Sequence, residues 1–393
     1  MSPDVVILSA CRTPVGRFLG ALSEVPAAKL GAIVILEALK RAGVKAEEVD
    51  ELILGNVLQA GQGQNPARQA WLAAGLPEET PAITINKVCG SGMKAVHLAA
   101  QAIAAGDAEV LVAGGIENMT MAPHILPGAR MGFRLGDSTL YDDIILDGLS
   151  CGVEKIHMGI TAENVSERFG ITRDMQDDFA LESQRRAGAA IAAGKFKAEI
   201  VPVEIPQRKG DPVIFDTDEH VRADTTREGL AKLRPAFKKD GCVTAGNASG
   251  INDAGAAFVV ASRAYAEKHG IKPLATLVAY ASAGLDPKYM GMGPYYATKK
   301  VLDKAGMSLD QIDVVEANEA FAAQALAVAQ ELPLDLKKTN LYGGAIALGH
   351  PIGASGARIL TTLIYALKQE GGSHGLATMC IGGGQGIATI VKV

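Results

Sequence analysis

The chain of 393 residues lacks the features that mark several classes of protein. No apolar run reaches the ~20 residues of a membrane helix, so we expect no membrane span. No basic run is long enough to collect many phosphate contacts, and the net charge is −5, so we expect no nucleic-acid partner. Residues 1–4 show neither the basic nor the apolar part of a secretory signal, and we therefore expect a cytoplasmic protein.

Cysteine is also scarce. The five cysteines are far apart in the chain, odd in number and never in a CxxC pair: Cys11, Cys89, Cys151, Cys242 and Cys380. This spacing argues against both a disulfide framework and a cysteine zinc site. We expect a reducing compartment and no bound metal.

The sequence does contain an internal repeat. The Ala-Gly pair at 42–43 recurs 263 positions later at 305–306, and the helical stretch that opens at Ser91 recurs 264 positions later at Ser355. Each copy reads strand, helix, strand, helix, strand. This alternation predicts an α/β fold in which helices cover a mixed or parallel sheet.

The segment between the two copies of the repeat has no counterpart elsewhere in the chain. We assign residues 1–120 to the first half, 121–250 to an inserted loop domain and 271–393 to the second half. Residues 251–270 complete the first half, with its last strand predicted at 256–261. The length of the chain fits either two or three domains or one large duplicated domain.

Two reactive residues stand at corresponding strand-to-helix junctions. Cys89 lies just before the helix at Ser91, where unpaired N–H groups and the helix dipole lower the pKa of a thiol. His350 lies close to the equivalent point of the second copy, and histidine is the usual base for a cysteine nucleophile. Because ligand sites in such sheets lie where strands end and helices begin, we predict one shared pocket. For either residue alone, a structural role in the core is the alternative.

Two further residues lie at junctions of the second half. Cys380 ends a strand directly before the glycines at 382–384, whose N–H groups can bind an oxyanion. Asn318 follows another strand, where an amide can hold a water or an oxyanion. The alternatives are a core cysteine and a helix N-cap.

Five motifs together resemble the thiolase family, and within it the short-chain acetyl-CoA acetyltransferases. They are NKVCGSG at 86–92, GGIENM at 114–119, NEAFA at 318–322, GGAIALGHPIG at 343–353 and CIGGG at 380–384. The resemblance covers essentially the whole chain. It implies a five-layered α-β-α-β-α core made from two βαβαβ halves, with the inserted loop domain between them.

The resemblance also implies catalytic roles. Cys89 attacks an acyl-CoA and becomes acylated, His350 assists it, and Cys380 exchanges the α-proton of the second acetyl-CoA. Asn318 holds a water that forms one oxyanion hole with His350, and the N–H groups of Cys89 and Gly382 form the other. The implied reaction is the reversible, ping-pong condensation of two acetyl-CoA to acetoacetyl-CoA and CoA, without a cofactor.

Contacts with CoA and the acyl group are implied for eight further residues: His157, Met158, Arg222, Ala245, Ser249, Met290, Ala320 and Phe321. Gly229 departs from relatives that carry serine there, which leaves the adenine contacts open. Residues 122–137 resemble the family's tetramerisation loop and imply a homotetramer, a dimer of dimers.

Three other functions remain open. A 3-ketoacyl-CoA thiolase of broader chain length, acting in fatty-acid β-oxidation, would use the same catalytic residues. A condensing enzyme fed by a carrier protein typically pairs its cysteine with two histidines, whereas here the second partner is Cys380. A catalytically inactive thiolase fold that binds lipid or serves as a scaffold would have lost at least one reactive residue.

Overall fold

The two copies of the repeat fold into two matching half-sheets. The structure is a computed structural model, and it describes residues 4–393. The strands are β1 Val5–Arg12, β2 Gly16–Arg17, β3 Glu51–Gly55, β4 Ala82–Ile85, β5 Val110–Asn118, β6 His124–Ile125, β7 Tyr141–Asp142, β8 Val203–Ile205, β9 Val213–Phe215, β10 Asn252–Ser262, β11 Ala275–Gly284, β12 Val314–Ala317, β13 His374–Ile381 and β14 Gln385–Lys392.

The α-helices follow the strands in the predicted alternation. They are α1 Ala27–Ala42, α2 Pro66–Ala73, α3 Ser91–Ala105, α4 Met158–Phe169, α5 Arg173–Ala192, α6 Arg227–Ala231, α7 Arg263–Lys268, α8 Gly293–Ala305, α9 Ala322–Glu331, α10 Ala345–Leu348 and α11 Ile352–Glu370. Glycines 43 and 306 end α1 and α8 in the left-handed conformation, as the repeated Ala-Gly pair predicts.

The order of the strands confirms the duplication. The first half runs β4-β3-β5-β10-β1 and the second runs β12-β13-β14-β11. Parallel pairs lie towards the outer edge of each half: β3 pairs in parallel with both β4 and β5, and β12 with β13. The remaining neighbours within each half are antiparallel. The strand predicted at 256–261 lies within β10. A short pairing of β1 with β11 joins the halves into one sheet of ten strands.

The helices form three layers around the half-sheets. Helix α1 packs on the outer face of the first half-sheet and α8 on that of the second, while α3 and α11 pack against each other between them. A Cβ on Gly356 would lie 2.6 Å from Met93 N, and a Cβ on Gly92 would lie 2.9 Å from Ala357 N. Glycine therefore allows the two central helices to approach closely. The result is the expected α-β-α-β-α core.

The middle of the chain is anchored to this core by buried charges. Arg12 in β1 donates to Glu199 at 2.6 Å and to both oxygens of Asp218. Thr362 in α11 donates to the same glutamate at 3.0 Å. Because removing one partner would leave a buried charge unpaired, this network fixes the middle segment firmly over the core. Among residues 4–393, no helix is both long and apolar enough to cross a membrane.

Candidate active site

A cavity of about 380 Å³ lies where the two halves meet the middle segment. Cys89, His350 and Cys380 all line it. The eight residues predicted to contact substrate line the same cavity: His157, Met158, Arg222, Ala245, Ser249, Met290, Ala320 and Phe321. Residues that are far apart in the chain therefore converge on one cavity, as expected from the repeated strand-to-helix junctions.

The loop before α3 holds Cys89 in a strained backbone. Val88 has a φ of 46°, which is unfavourable for a β-branched residue. Its N–H donates to Asn86 Oδ1 at 2.9 Å, and its carbonyl accepts from Ser91 Oγ at 2.6 Å. Ser91 Oγ also accepts from Lys87 N at 2.8 Å. These bonds keep the strained turn in place and fix the position of the sulfur in front of α3.

The sulfur of Cys89 is not the low-pKa thiol expected from its place before a helix. Burial raises the pKa of Cys89 to about 11, although the N–H groups of Gly382 and of Cys89 itself hydrogen-bond the sulfur and lower it. The expectation of a lowered pKa is wrong for the free protein, because desolvation of the thiolate outweighs the N–H donors. The same two N–H groups are those implied for one oxyanion hole.

The imidazole of His350 is held in a single tautomer. Its Nδ1 lies 2.6 Å from Ser355 Oγ, and the serine hydroxyl donates its only proton to Pro351 O at 2.8 Å. Ser355 therefore accepts a hydrogen bond from Nδ1–H, and Nε2 carries the lone pair. Nε2 is buried and has no hydrogen-bond partner in the part of the chain that the structure describes.

The same imidazole is neutral at physiological pH. Burial, and next the positive charge of Arg358, lower the pKa of His350 to about 3. Its backbone N–H donates to Asn252 Oδ1 at 2.9 Å, which fixes the turn before α11. A neutral imidazole with a free, buried lone pair is suited to accept a proton.

Cys380 ends β13 and is buried, with 1% of its surface exposed. Burial raises the pKa of Cys380 strongly, and a negative charge on Cys89 raises it further. The two cysteines therefore interact electrostatically. In the free protein Cys380 is a thiol, which can donate a proton to a carbanion.

Asn318 is buried and is not one of the residues that line the cavity. Its backbone N–H donates to Thr378 O at 3.0 Å, but within residues 4–393 neither atom of its side-chain amide has a hydrogen-bond partner. The alternative of an N-cap is wrong, since Phe321 occupies the N-cap of α9. A buried amide without a protein partner is free to bind a water or an oxyanion.

Four residues of the site were missed by the sequence analysis. Phe237 stacks on His157 with ring centroids 4.8 Å apart and builds the wall of the cavity. His220 lines this cavity and also a second one of about 370 Å³ that continues to Gly229. Ser355 and Arg358 act on His350. Of these four residues, only Ser355 could have been identified from the sequence, because it lies 264 positions after Ser91 and so matches it in the repeat.

Known proteins resemble the whole chain. Residues 5–264 match the family model described as "Thiolase, N-terminal domain", and residues 271–393 match "Thiolase, C-terminal domain". The acetyl-CoA acetyltransferases of Cupriavidus necator and Chromobacterium violaceum are 60% and 58% identical over 389 residues, which is 99% of each chain. The crystal structure of the Bacillus anthracis acetyl-CoA acetyltransferase aligns with a TM-score of 0.98 at 48% identity, over 100% of this chain and 99% of that one.

Proposed function

The chain belongs to the thiolase family, and from this premise we propose that it is an acetyl-CoA C-acetyltransferase. It interconverts two acetyl-CoA with acetoacetyl-CoA and free CoA. The observation that carries the proposal is the convergence of Cys89, His350 and Cys380 on one cavity. The similarity to acetyl-CoA acetyltransferases over 99% of the chain supports the choice of substrate.

In the cleavage direction the first step makes an acetyl-cysteine. His350 Nε2 takes the proton of the Cys89 thiol while the sulfur attacks the ketone carbon of acetoacetyl-CoA. With a thiol pKa of about 11 and an imidazole pKa of about 3, a preformed ion pair is disfavoured, so the proton moves as the sulfur–carbon bond forms. The oxyanion is bound by the N–H groups of Cys89 and Gly382.

The tetrahedral intermediate then loses the enolate of acetyl-CoA. The Cys380 thiol donates its proton to the enolate carbon, while His350 and a water held by Asn318 stabilise the enolate oxygen. Acetyl-CoA leaves and CoA enters, giving its thiol proton to Cys380. The CoA sulfur attacks acetyl-Cys89, and the departing Cys89 sulfur takes back the proton from His350. Condensation is the reverse of these steps.

Mass spectrometry of the intact protein tests the intermediate. After mixing with acetoacetyl-CoA, we expect an added mass of about 42 Da, the mass of one acetyl group on the nucleophile. Cys89→Ala removes both the added mass and the activity. Cys242→Ser, at a cysteine outside the cavity, is the matched control and keeps both. Absence of acetyl on wild-type Cys89 would refute the mechanism.

The acyl end of the cavity favours short substrates over the broader chain lengths of the alternative function. Met158 and Met290 are both buried and line the wall next to Cys380. Longer acyl chains would have to displace these side chains from a packed cluster. We therefore expect acetoacetyl-CoA to be cleaved faster than a long-chain 3-ketoacyl-CoA. Faster cleavage of the long chain would replace our proposal with a broad-range thiolase.

We also propose that the chain forms a homotetramer. The excursion at 122–140 exposes large apolar side chains, with Met131 exposed at 88% and Leu135 at 99%. Exposed apolar groups of this kind mark contacts with another protein, here a second copy of the chain. Light scattering should give the mass of four chains of 40.8 kDa each. We expect Leu135→Asp to yield dimers, and a monomeric wild type would contradict the proposal.

A further inference from the structure

Glu117 is a buried carboxylate that the proposed mechanism does not use. It lies near the end of β5, and its side chain is fully buried. One carboxylate oxygen accepts from Asn56 Nδ2 at 2.7 Å and Leu58 N at 3.2 Å. The other accepts from Val57 N at 3.1 Å and Gly353 N at 2.8 Å. The side chain therefore receives four hydrogen bonds, two on each oxygen.

All four partners are N–H donors, and this determines which charge state the site fits. Burial raises the pKa of Glu117 to about 7, while the backbone N–H bonds from Leu58, Gly353 and Val57 lower it. A protonated carboxyl would turn its O–H towards one of these donors and lose a bond. Above neutral pH the group is a carboxylate that satisfies every donor around it.

The four donors belong to different halves of the molecule. Asn56, Val57 and Leu58 form the loop after β3 in the first half, whereas Gly353 lies in the first turn of α11 in the second half. A Cβ on Gly353 would lie 2.6 Å from the Glu117 carboxylate, so the contact requires glycine at that position. The carboxylate is a direct polar link between the two half-domains.

Each end of this link leads to a reactive residue. Gly353 lies three positions after His350, in the same turn at the start of α11. On the other side, Asn56 N donates to Ile85 O at 3.1 Å, and so ties its loop to the end of β4, which leads into the turn of Cys89. The side chains of Leu58 and Ile352 lie in one apolar cluster, and Cys89 packs against it.

We propose that Glu117 is a positioning residue that holds Cys89 and His350 at their working separation by binding the loop after β3 and the start of α11 at once. The inference rests on the proposed thiolase function and adds a residue to it. Glu117 does not line the cavity, and its negative charge is only a minor cause of the raised pKa of Cys89. Its loss should therefore change kcat through the geometry of the pair and leave substrate binding nearly unchanged.

Glu117→Gln tests the proposal at pH 8. The amide has the same shape, but its nitrogen must face two N–H donors in either orientation. Because a misplacement of about 1 Å costs about 100-fold, we expect kcat for thiolysis to fall about 100-fold. KM for acetoacetyl-CoA should stay within about threefold, since the contacts with CoA are unchanged. Thermal unfolding must show that the variant is folded at the assay temperature.

Glu163→Gln is the matched control. Glu163 is also buried and accepts N–H groups, from Cys242 at 3.0 Å and Val243 at 3.0 Å, but it supports the loop that carries Ala245 and Ser249. We expect this variant to raise KM and to leave kcat within about threefold of the wild type. An equal fall of kcat in both variants would show a general cost of altering a buried glutamate and would overturn the proposal.

Asn56→Ala keeps the proposal testable if Glu117→Gln does not fold. It removes one of the four donors, and we expect kcat to fall about tenfold with KM unchanged. If the wild type is active and either Glu117→Gln or Asn56→Ala keeps the full kcat, the positioning role is refuted while the proposed function stands. A folded wild type that cleaves no acetoacetyl-CoA would instead refute the proposed function.

Discussion

The turn before α3 and the turn before α11 each depend on a buried serine, Ser91 in the first half and Ser355 in the second. Each serine accepts one hydrogen bond from the preceding turn and donates one to a carbonyl of that turn. Ser91 accepts from a backbone N–H, that of Lys87. Ser355 accepts from the imidazole of His350, the proposed base. The two serines, 264 positions apart, therefore have different roles. Ser91 supports the backbone of its turn, whereas Ser355 supports the side chain of His350.

This difference shows how a duplicated fold supplies two chemical roles. The position 264 after Cys89 is Gly353, so His350 stands three residues ahead of the equivalent point. Helix α11 also begins three residues before Ser355, whereas α3 begins at Ser91 itself. In the proposed mechanism, the first junction presents the nucleophile on a strained turn, and the second presents the base in a fixed tautomer.

The largest effect should come from removing the base. We expect His350→Ala to lower kcat for thiolysis by about 10³- to 10⁴-fold, because no other group at either junction can accept the thiol proton. Acetylation of Cys89, followed by intact mass, should slow by a similar factor. A variant that retains a tenth of the activity would mean that the second junction has no catalytic role.

The second-largest effect should distinguish the proposed role of Cys380 from that of Cys89. Cys380→Ala should lower turnover by about 10³-fold, since the enolate then lacks its proton donor. Some acetylation of Cys89 by acetyl-CoA, measured as exchange with labelled CoA, should persist. The attack on the thioester uses Cys89 and His350, and CoA can exchange its thiol proton with water in place of Cys380. Equal loss of turnover and exchange would contradict this division of labour.

The two serines provide a direct comparison of the junctions. Ser355→Ala should lower kcat by about 10- to 100-fold and change the pH profile, because Nδ1 loses the acceptor that fixes the tautomer. Ser91→Ala should leave the shape of the profile unchanged and cost about 1–2 kcal/mol of unfolding free energy, the usual price of a lost buried hydrogen bond. Identical pH profiles for both variants would remove the distinction between the serines.

The last prediction concerns the free enzyme, in which the reactivity of Cys89 should depend on pH while turnover is not measured. Burial raises the pKa of Cys89 to about 11, so near neutral pH almost all of it is thiol. Its thiolate fraction, and with it the rate of alkylation by iodoacetamide, should rise about tenfold per pH unit from pH 7 to pH 10. Mass spectrometry of the alkylated peptide gives this rate. A plateau near pH 8 would mean that the N–H donors outweigh burial.

Much of the site could be predicted from the chain alone. The repeat placed Cys89 and His350 at related junctions, and the motifs supplied Cys380, Asn318 and the residues that line the cavity. The direction of the Cys89 pKa shift could not be predicted, since it depends on how much water the folded protein removes. Phe237 was missed for a similar reason: its ring meets His157 only after the middle segment folds over the core.

The amino-acid sequence by itself determined the duplicated α/β architecture and pointed to the proposed reactive residues, because hydrophobic period, helix-ending glycines and motif spacing are local properties of the chain. Only the tertiary structure decided the protonation states of these residues and the hydrogen bonds that hold them in place. The neutral tautomer of His350, the protonated Cys89 and the carboxylate of Glu117 between the halves arise from burial and from partners far away in the chain. Gly353 lies 236 residues from Glu117, and Gly382 lies farther still from Cys89. Such partners come together only when the two halves pack against each other.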